Sequence, residues 1–121
     1  MDNLKFTEED NNAVKWCEDN YPDMTAEYKK LMMEQYITFC KKHRNYGTGN
    51  INVGTNLETD GDVKLALTGL WFRMNDKIQR LKQLVVLGQP DEVGENIQDT
   101  YEDMSVYGVI AQIVQRKKWA K

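Results

Sequence analysis

Two aspartates four residues apart, Asp99 and Asp103, interrupt an apolar stretch near the end of the 121-residue chain. On a helix, this spacing places both carboxylates on one side, with Asp103 inside the apolar arc and Asp99 at its edge. An unpaired carboxylate in such a position is costly, so it is normally paired with a cation or bound to a metal. Two carboxylates at this spacing can share one Mg²⁺, with water and substrate phosphates as its other ligands.

A second set of charged residues also follows helical spacing: Arg73, Asp76, Lys77 and Arg80. Positions i, i+3, i+4 and i+7 lie along one side of a helix. Arginine and lysine bind phosphate oxygens, so one interpretation is a cationic wall for a phosphate group, with an acid in it. Two alternatives stay open. The residues can form a solvated series of ion pairs, or the cations can pair with the two aspartates across a helix interface.

Two aromatic residues lie near a helix end. Tyr46 precedes a glycine-bearing loop. Its side chain can either pack in the core or stack on a nucleobase. His43 is the only histidine and continues an apolar helix face, so we expect an interface residue rather than a catalytic base. With one histidine and no serine in a strand–turn–helix elbow, a hydrolase triad is not supported.

Helical periodicity without sustained two-residue alternation predicts an all-α fold, a four-helix bundle-like single domain over residues 1–121. The expected helices are Glu8–Asp19, Ala26–His43, Val63–Leu87 and Glu92–Lys117. Thr7 is the predicted N-cap of the first helix. Pro22 is expected to separate the first two helices, with Asp23 or Thr25 as the cap of the second.

A long glycine-bearing loop, residues 45–62, is expected between the second and third helices. Four glycines make this stretch irregular, and long loops in compact domains are usually functional or mobile. The loop lacks the Lys-Ser/Thr ending of a phosphate-binding P-loop. It is therefore a candidate lid.

Composition limits the class of protein and its partners. With 40% hydrophobic and 29% charged residues the chain is globular, and its net charge of −3 predicts no direct nucleic-acid binding. Cys17 and Cys40 have no metal-motif spacing and are expected to be reduced core residues.

No apolar run is long enough for a membrane span, and the acidic N-terminus lacks signal-peptide features, so we expect a cytoplasmic protein. Wide apolar helix faces favour a homo-oligomer, with a dimer as the default.

Three stretches, KKHRNYGTGN, LTGLWFRMNDKIQRLKQL and ENIQDTYEDMSVYGVI, resemble the phage-rich nucleotide modification associated domain, type 1, over roughly residues 25–115. The family's Arg-x-x-Asp-Lys-x-x-Arg-Leu and Asp-Thr-x-x-Asp motifs, the second followed by a tyrosine, are matched by Arg73, Asp76, Lys77, Arg80, Leu81, Asp99, Thr100, Asp103 and Tyr107. Its Lys-x-x-Asp-Tyr-Gly motif keeps Tyr46 and Gly47, but Asn45 stands where an aspartate is usual.

The acidic helices are also similar, more weakly, to those of the MazG and dimeric dUTPase group of all-α nucleoside triphosphate pyrophosphohydrolases. That group holds magnesium with carboxylates from two helices, and the metal positions water on the phosphate chain. In this chain the second-helix acid would have to be Glu34, which the helical wheel places opposite the apolar face.

These resemblances imply Mg²⁺-dependent pyrophosphohydrolysis of a (deoxy)nucleoside triphosphate, in a phage nucleotide-metabolism or DNA-modification context. The implied roles are metal ligands for Asp99 and Asp103, and a catalytic base or further ligand for Asp76. Phosphate and substrate contacts would come from Arg73, Lys77, Arg80, Tyr46 and Asn45. Two other hypotheses stay open: a non-catalytic phage protein that binds a nucleotide or a host protein, and a structural helical protein whose charges are internal salt bridges.

Overall fold

The computed structural model describes residues 5–121, and all regular structure in this part of the chain is helical. The helices are α1 (Glu8–Asn20), α2 (Pro22–Tyr46), α3 (Gly49–Asn52), α4 (Asp60–Leu81), a π-helical segment (Lys82–Val86) and α5 (Ile97–Gln115). The all-α prediction is confirmed. The chain forms two compact units, one that ends at Thr38 and one that spans Phe39–Lys121. Within the described residues, no helix combines the length and apolar character that a membrane crossing requires.

The first helix starts at the predicted cap. The Thr7 hydroxyl accepts a hydrogen bond from the backbone N–H of Asp10 (3.0 Å), and the Asp10 carboxylate accepts one from the backbone N–H of Thr7 (2.9 Å). This reciprocal pair is a capping box, which satisfies backbone donors that a helix start leaves free. The Thr7 backbone N–H also holds the pKa of the Asp10 carboxyl below its usual value, because it stabilises the charged form.

The second helix starts earlier than predicted. It begins at Pro22 rather than Ala26, because proline suits the first helical position, where no N–H is needed and its fixed φ is already helical. Thr25 does not act as the cap, since its hydroxyl donates to the carbonyls of Tyr21 and Pro22 (3.0 and 3.2 Å). Pro22 therefore separates the two helices, as predicted, but it is also the first residue of α2.

The helices of the first unit are held by few contacts. Neither α1 nor α2 has a buried residue, and an ion pair between Lys29 and Glu18 links the two helices. The predicted core position of the two cysteines is wrong: Cys17 is half-buried, Cys40 is exposed, and both are free thiols. Amphipathic spacing predicts an apolar face correctly, but it does not say what covers that face.

The core of the second unit lies along α4 and α5. Ala66 and Leu70 of α4, together with Ile110 and Val114 of α5, are at most 3% exposed. Small and branched apolar side chains at helical spacing let the two helices approach closely along this line. The cluster also includes three buried residues from outside the helix pair: Ile51, Leu57 and Trp119.

The glycine-bearing segment between α2 and α4 is anchored to this core. Ile51 of the short helix α3 is buried, and so is Leu57. The Arg73 guanidinium donates from Nη2 to the backbone carbonyl of Asn50 (2.9 Å). The segment therefore contains one helical turn and supplies core side chains, so it is tethered at several points along its length.

The chain after α5 folds back onto the end of α2. The helix ends before the predicted Lys117, which adopts a left-handed conformation (φ 55°) and turns the chain. The turn buries Trp119, whose ring lies edge-on to Phe39 and His43 at centroid distances of 5.9 and 5.1 Å. Its indole N–H donates to the Thr48 carbonyl (3.2 Å). His43 thus has the interface position that its helix face indicates.

The last helix starts later than predicted. The Asp91 carboxylate accepts hydrogen bonds from the backbone N–H groups of Val93 and Gly94 (3.2 Å each), and Gly94 has a φ of 72°. Such local side-chain bonding competes with helix formation. The chain therefore stays in a loop past the predicted start at Glu92, and α5 begins only after its N-cap, Asn96.

Two leucines of α4 test the position of the core. Leu70 is 1% exposed, whereas Leu65 is 50% exposed. We expect Leu70→Ala to lower the free energy of unfolding by about 2–5 kcal/mol, because it removes apolar contacts and leaves a cavity. Leu65→Ala should change it by no more than roughly 0.5 kcal/mol. Equilibrium urea denaturation followed by circular dichroism measures both, and equal losses would contradict the assigned core.

Candidate functional site

Beyond the apolar core, the seam between α4 and α5 becomes polar. Three successive side-chain pairs, named here the α4–α5 ladder, are Arg73–Tyr107, Lys77–Asp103 and Arg80–Thr100. The α4 partners advance by four and then three residues, while the α5 partners go back by four and then three. Because one helix face repeats every three to four residues, this pattern is that of two antiparallel helices in constant register.

The middle pair explains the aspartate that interrupts the apolar arc of α5. The Lys77 ammonium lies 3.1 Å from the Asp103 carboxylate, and the two side chains are 27% and 29% exposed. A half-buried carboxylate is tolerated because a cation compensates it. The pairing of Asp103 with a cation across the helix interface is therefore confirmed, and solvent still reaches both groups.

The Arg80–Thr100 pair is part of a larger cluster of polar contacts. The Arg80 guanidinium donates from Nε to the Thr100 hydroxyl (3.0 Å) and from Nη2 to the Glu95 carbonyl (2.7 Å). It also forms ion pairs with the carboxylates of Glu95 (2.8 Å) and Asp91 (3.6 Å). With its side chain 15% exposed, Arg80 joins α4 to the loop that precedes α5. A ligand phosphate at this position would have to replace protein contacts.

The Arg73–Tyr107 pair connects the ladder to the segment around α3. The guanidinium carbon of Arg73 lies 6.0 Å from the centroid of the Tyr107 ring, within range of a cation–π interaction. The same guanidinium donates to the Asn50 carbonyl. Guanidinium groups have several donors, so Arg73 keeps capacity for a further acceptor.

The other two acids predicted for the site, Asp76 and Asp99, are not members of the ladder pairs. Asp76 and Asp99 are both exposed. In the described part of the chain, neither carboxylate takes part in a hydrogen bond or ion pair. The two helices therefore carry one neutralised acid, Asp103, and two exposed acids, Asp76 on α4 and Asp99 on α5.

The donor set can be tested against magnesium. Among residues 5–121, no group of three or more His, Cys, Asp or Glu side chains is placed to hold a metal ion. Magnesium, however, commonly binds one or two carboxylates and completes its octahedron with water and substrate phosphates. Asp99 and Asp103 fit that second kind of site, which forms only together with a phosphate ligand. They do not make an all-protein cage.

The expected base-binding residues lie at the end of α2. The Tyr46 ring is exposed, and its centroid is 5.9 Å from that of His43. Asn45 is also exposed. Within the described residues, no hydrogen bond, ion pair or ring contact joins Tyr46 or Asn45 to the ladder. The connection is indirect, because α3 follows α2 and its Asn50 carbonyl accepts from Arg73.

Sequence reasoning did not assign a structural role to Thr100, which is the one buried polar residue in the described chain. A signal was present: Thr100 stands three before Asp103 and seven before Tyr107, so it shares their helix face. No sequence pattern indicates that Glu95 and Asp91 contact Arg80, because these contacts depend on the path of the loop before α5.

Comparisons with protein-family models, with curated proteins and with solved structures gave no match for this chain. The resemblance to nucleotide-processing families stays a prediction from its motifs.

The Arg80 cluster gives a stability prediction. Arg80→Met should lower the free energy of unfolding by about 2–4 kcal/mol, because the buried Thr100 hydroxyl and the Glu95 carbonyl lose their donor. Arg80→Lys should recover only part of the loss, since an ammonium cannot reproduce the planar fork.

Lys82→Met is the matched control, because Lys82 is exposed and close to Arg80 in sequence. Its effect should stay within roughly 0.5 kcal/mol. Urea denaturation measures all three variants. If Arg80→Met were as stable as the Lys82 control, the cluster would not stabilise the fold.

Proposed function

We propose that this chain binds the phosphate groups of a (deoxy)nucleoside triphosphate at the α4–α5 ladder and releases pyrophosphate from it in the presence of Mg²⁺. The observation that carries the proposal is the partly exposed Lys77–Asp103 pair across the seam of α4 and α5, two helices that also carry the exposed acids Asp76 and Asp99. Such a site offers both cationic and carboxylate groups on rigid helices, which is what a metal-bound phosphate chain needs.

Phosphate binding would draw on the cations that remain accessible. Lys77 can turn from Asp103 toward a phosphate oxygen, since its side chain is only partly buried. Arg73 has donors beyond the one that bonds the Asn50 carbonyl. Arg80 would act differently: it holds the start of α5 in place, and it thereby positions Asp99 and Asp103.

Asp99 and Asp103 would hold the magnesium ion together with the phosphate chain. When bound, the ion supplies charge neutralisation for the phosphates and lowers the pKa of a bound water. Asp76 is exposed, and its carboxylate takes part in no hydrogen bond or ion pair within the described residues, so it can accept a proton from an attacking water. Water would add to the α-phosphorus, and the bond to the bridging oxygen would break, which releases pyrophosphate.

A second candidate is a non-catalytic protein that binds a nucleotide or a host protein. Two observations favour it: Asp103 is already neutralised by Lys77, and Asn45 replaces the aspartate of the family motif. Glu34 is exposed on α2 and has no assigned place in the ladder. In its nucleotide-binding form, this candidate shares the binding step with the first and differs only in turnover.

The cellular setting follows from the same proposal. A phage protein that processes nucleotides works in the cytoplasm of the host, where its substrates are. The net charge of −3 favours a nucleotide ligand over nucleic acid. The wide apolar faces that the sequence predicts for the helices favour a homodimer.

A nucleotide panel tests the proposal. We expect the native chain with MgCl₂ to convert at least one dNTP or NTP to its monophosphate and pyrophosphate, read by ion-exchange chromatography. Asp99→Asn/Asp103→Asn should lower the rate at least ~100-fold, because it removes the charges that hold the metal–phosphate complex.

Glu102→Gln is the matched control, because Glu102 lies on the same helix but outside the assigned site, and it should keep the native rate. A nucleotide that raises the melting temperature without being hydrolysed would favour the non-catalytic candidate. If no nucleotide were hydrolysed and none raised the melting temperature, pyrophosphohydrolysis and nucleotide binding would both be excluded, and only the host-protein form of the second candidate would remain.

A further inference from the structure

Backbone strain is concentrated in two segments of the second unit that contact each other. Within residues 5–121, four residues other than glycine have a positive φ: Val53 (52°), Leu57 (57°), Lys117 (55°) and Ala120 (61°). This left-handed region is costly for any residue with a Cβ, and most of all for a β-branched residue such as Val53. Such conformations persist only where surrounding contacts hold them, and they cluster at clamps and switches.

The strained residues belong to two parts of the chain that share one core. Residues 48–59, named here the α3 segment, contain Val53 and Leu57, and residues 116–121, named here the strap, contain Lys117 and Ala120. The α3 segment contributes two buried side chains to the core cluster, and the strap contributes Trp119. The two segments are distant in sequence, so the contacts between them have to hold both in place.

The strap binds the α3 segment at both of its ends. The Trp119 indole N–H donates to the Thr48 carbonyl at the start of the segment (3.2 Å). The Lys121 ammonium donates to the Asn56 carbonyl (3.1 Å) and forms an ion pair with the Glu58 carboxylate near its end. These contacts bridge the stretch that contains both strained residues of the α3 segment.

Charge contributes to the hold of the strap. The hydrogen bond and positive charge of Lys121 hold the pKa of the Glu58 carboxyl below its usual value, because they stabilise the ionised form, and Lys117 adds to this effect. Lys117 also lies 3.5 Å from the carboxylate of Asp60, the first residue of α4. Exposed ion pairs are weak, so the strap is held by one buried ring and several weak polar contacts.

We infer that the strap holds the α3 segment in a strained, closed conformation, and that release of the strap lets this segment open while α4 and α5 stay folded. The strained residues can relax once the contacts between the two segments are lost, so strain favours opening and the contacts oppose it. Local opening of this kind occurs where a segment is held by few and exposed contacts. The inference does not depend on the proposed nucleotide chemistry.

Opening of the α3 segment has a direct consequence for Arg73. Its guanidinium donates from Nη2 to the Asn50 carbonyl (2.9 Å), which is part of the segment. When the segment opens, this donor becomes free for another acceptor. In the proposed function, on which this one consequence rests, the acceptor would be a phosphate oxygen. The strap would then control how readily Arg73 takes part in binding.

Amide hydrogen exchange of the full chain, followed by NMR without any ligand, measures the opening. The backbone N–H groups of Ile51, Val53 and Thr55 donate to carbonyls within the α3 segment (3.1, 3.1 and 2.9 Å). They are protected only while the segment is closed, so their exchange rates report its opening. The amides in the middle of α4 and α5 are the internal reference, because they open only with the core of the unit.

Three variants of the strap should change the exchange of these amides in different directions. Trp119→Phe keeps an aromatic ring but removes the indole donor, and it should speed exchange ~3–10-fold. Lys121→Gln weakens an exposed charged contact and should speed exchange by about 2–5-fold. Ala120→Gly removes the steric cost of a left-handed residue in the closed state, so it should slow exchange at least ~2-fold.

Lys118→Gln is the matched control and should exchange like the native chain, because Lys118 is exposed on the strap and its side chain forms no ion pair within the described residues. The reference amides should be unchanged in all four variants. If Trp119→Phe sped exchange in α4 and α5 as much as in the α3 segment, Trp119 would hold the whole core and the inference would be wrong. Unchanged exchange in Lys121→Gln, or no slowing in Ala120→Gly, would also overturn it.

Discussion

The antiparallel register between α4 and α5 is the constraint on which the rest of the second unit depends. One end of this seam is apolar, where Leu70 and Ile110 are buried, and the other end carries the three polar pairs of the ladder. A shift of one residue along either helix would turn Asp103 away from Lys77 by about 100° and leave a half-buried carboxylate unpaired. The apolar end supplies the stability, and the polar end makes the register unique.

Segments outside the helix pair take their positions from the same seam. Arg80 binds the loop before α5 through Glu95 and Asp91, and Arg73 binds the segment around α3 through the Asn50 carbonyl. Trp119 also holds that segment, through the Thr48 carbonyl. Because two arginines of α4 hold two different loops, a change in the seam would reach both the candidate metal ligands and the tethered segment around α3.

The helical class, the capping role of Thr7 and the ion pair of Asp103 could be predicted, because each follows from spacing along one element. The start of α2 at Pro22 and the late start of α5 could not, because a proline or a loop aspartate allows more than one local structure. The burial of Trp119 and the exposure of Cys40 depend on contacts between distant parts of the chain. The same holds for the candidate site. Helical spacing predicts which charged residues share a helix face, whereas the contacts of Arg80 with Glu95 and Asp91 depend on the path of the loop before α5.

The three pairs of the ladder differ in how freely they can respond to a ligand. Arg80 is enclosed by four oxygen acceptors, so moving it would leave the buried Thr100 hydroxyl without a donor. The Lys77–Asp103 pair is more than a quarter exposed and contributes only about 1 kcal/mol, since solvent screens it. In the proposed function, this weak pair is the one that a metal-bound phosphate chain would separate, with new charge-assisted bonds to offset the cost. The contacts of Arg80 would keep the start of α5 in place while Lys77 and Asp103 change partners.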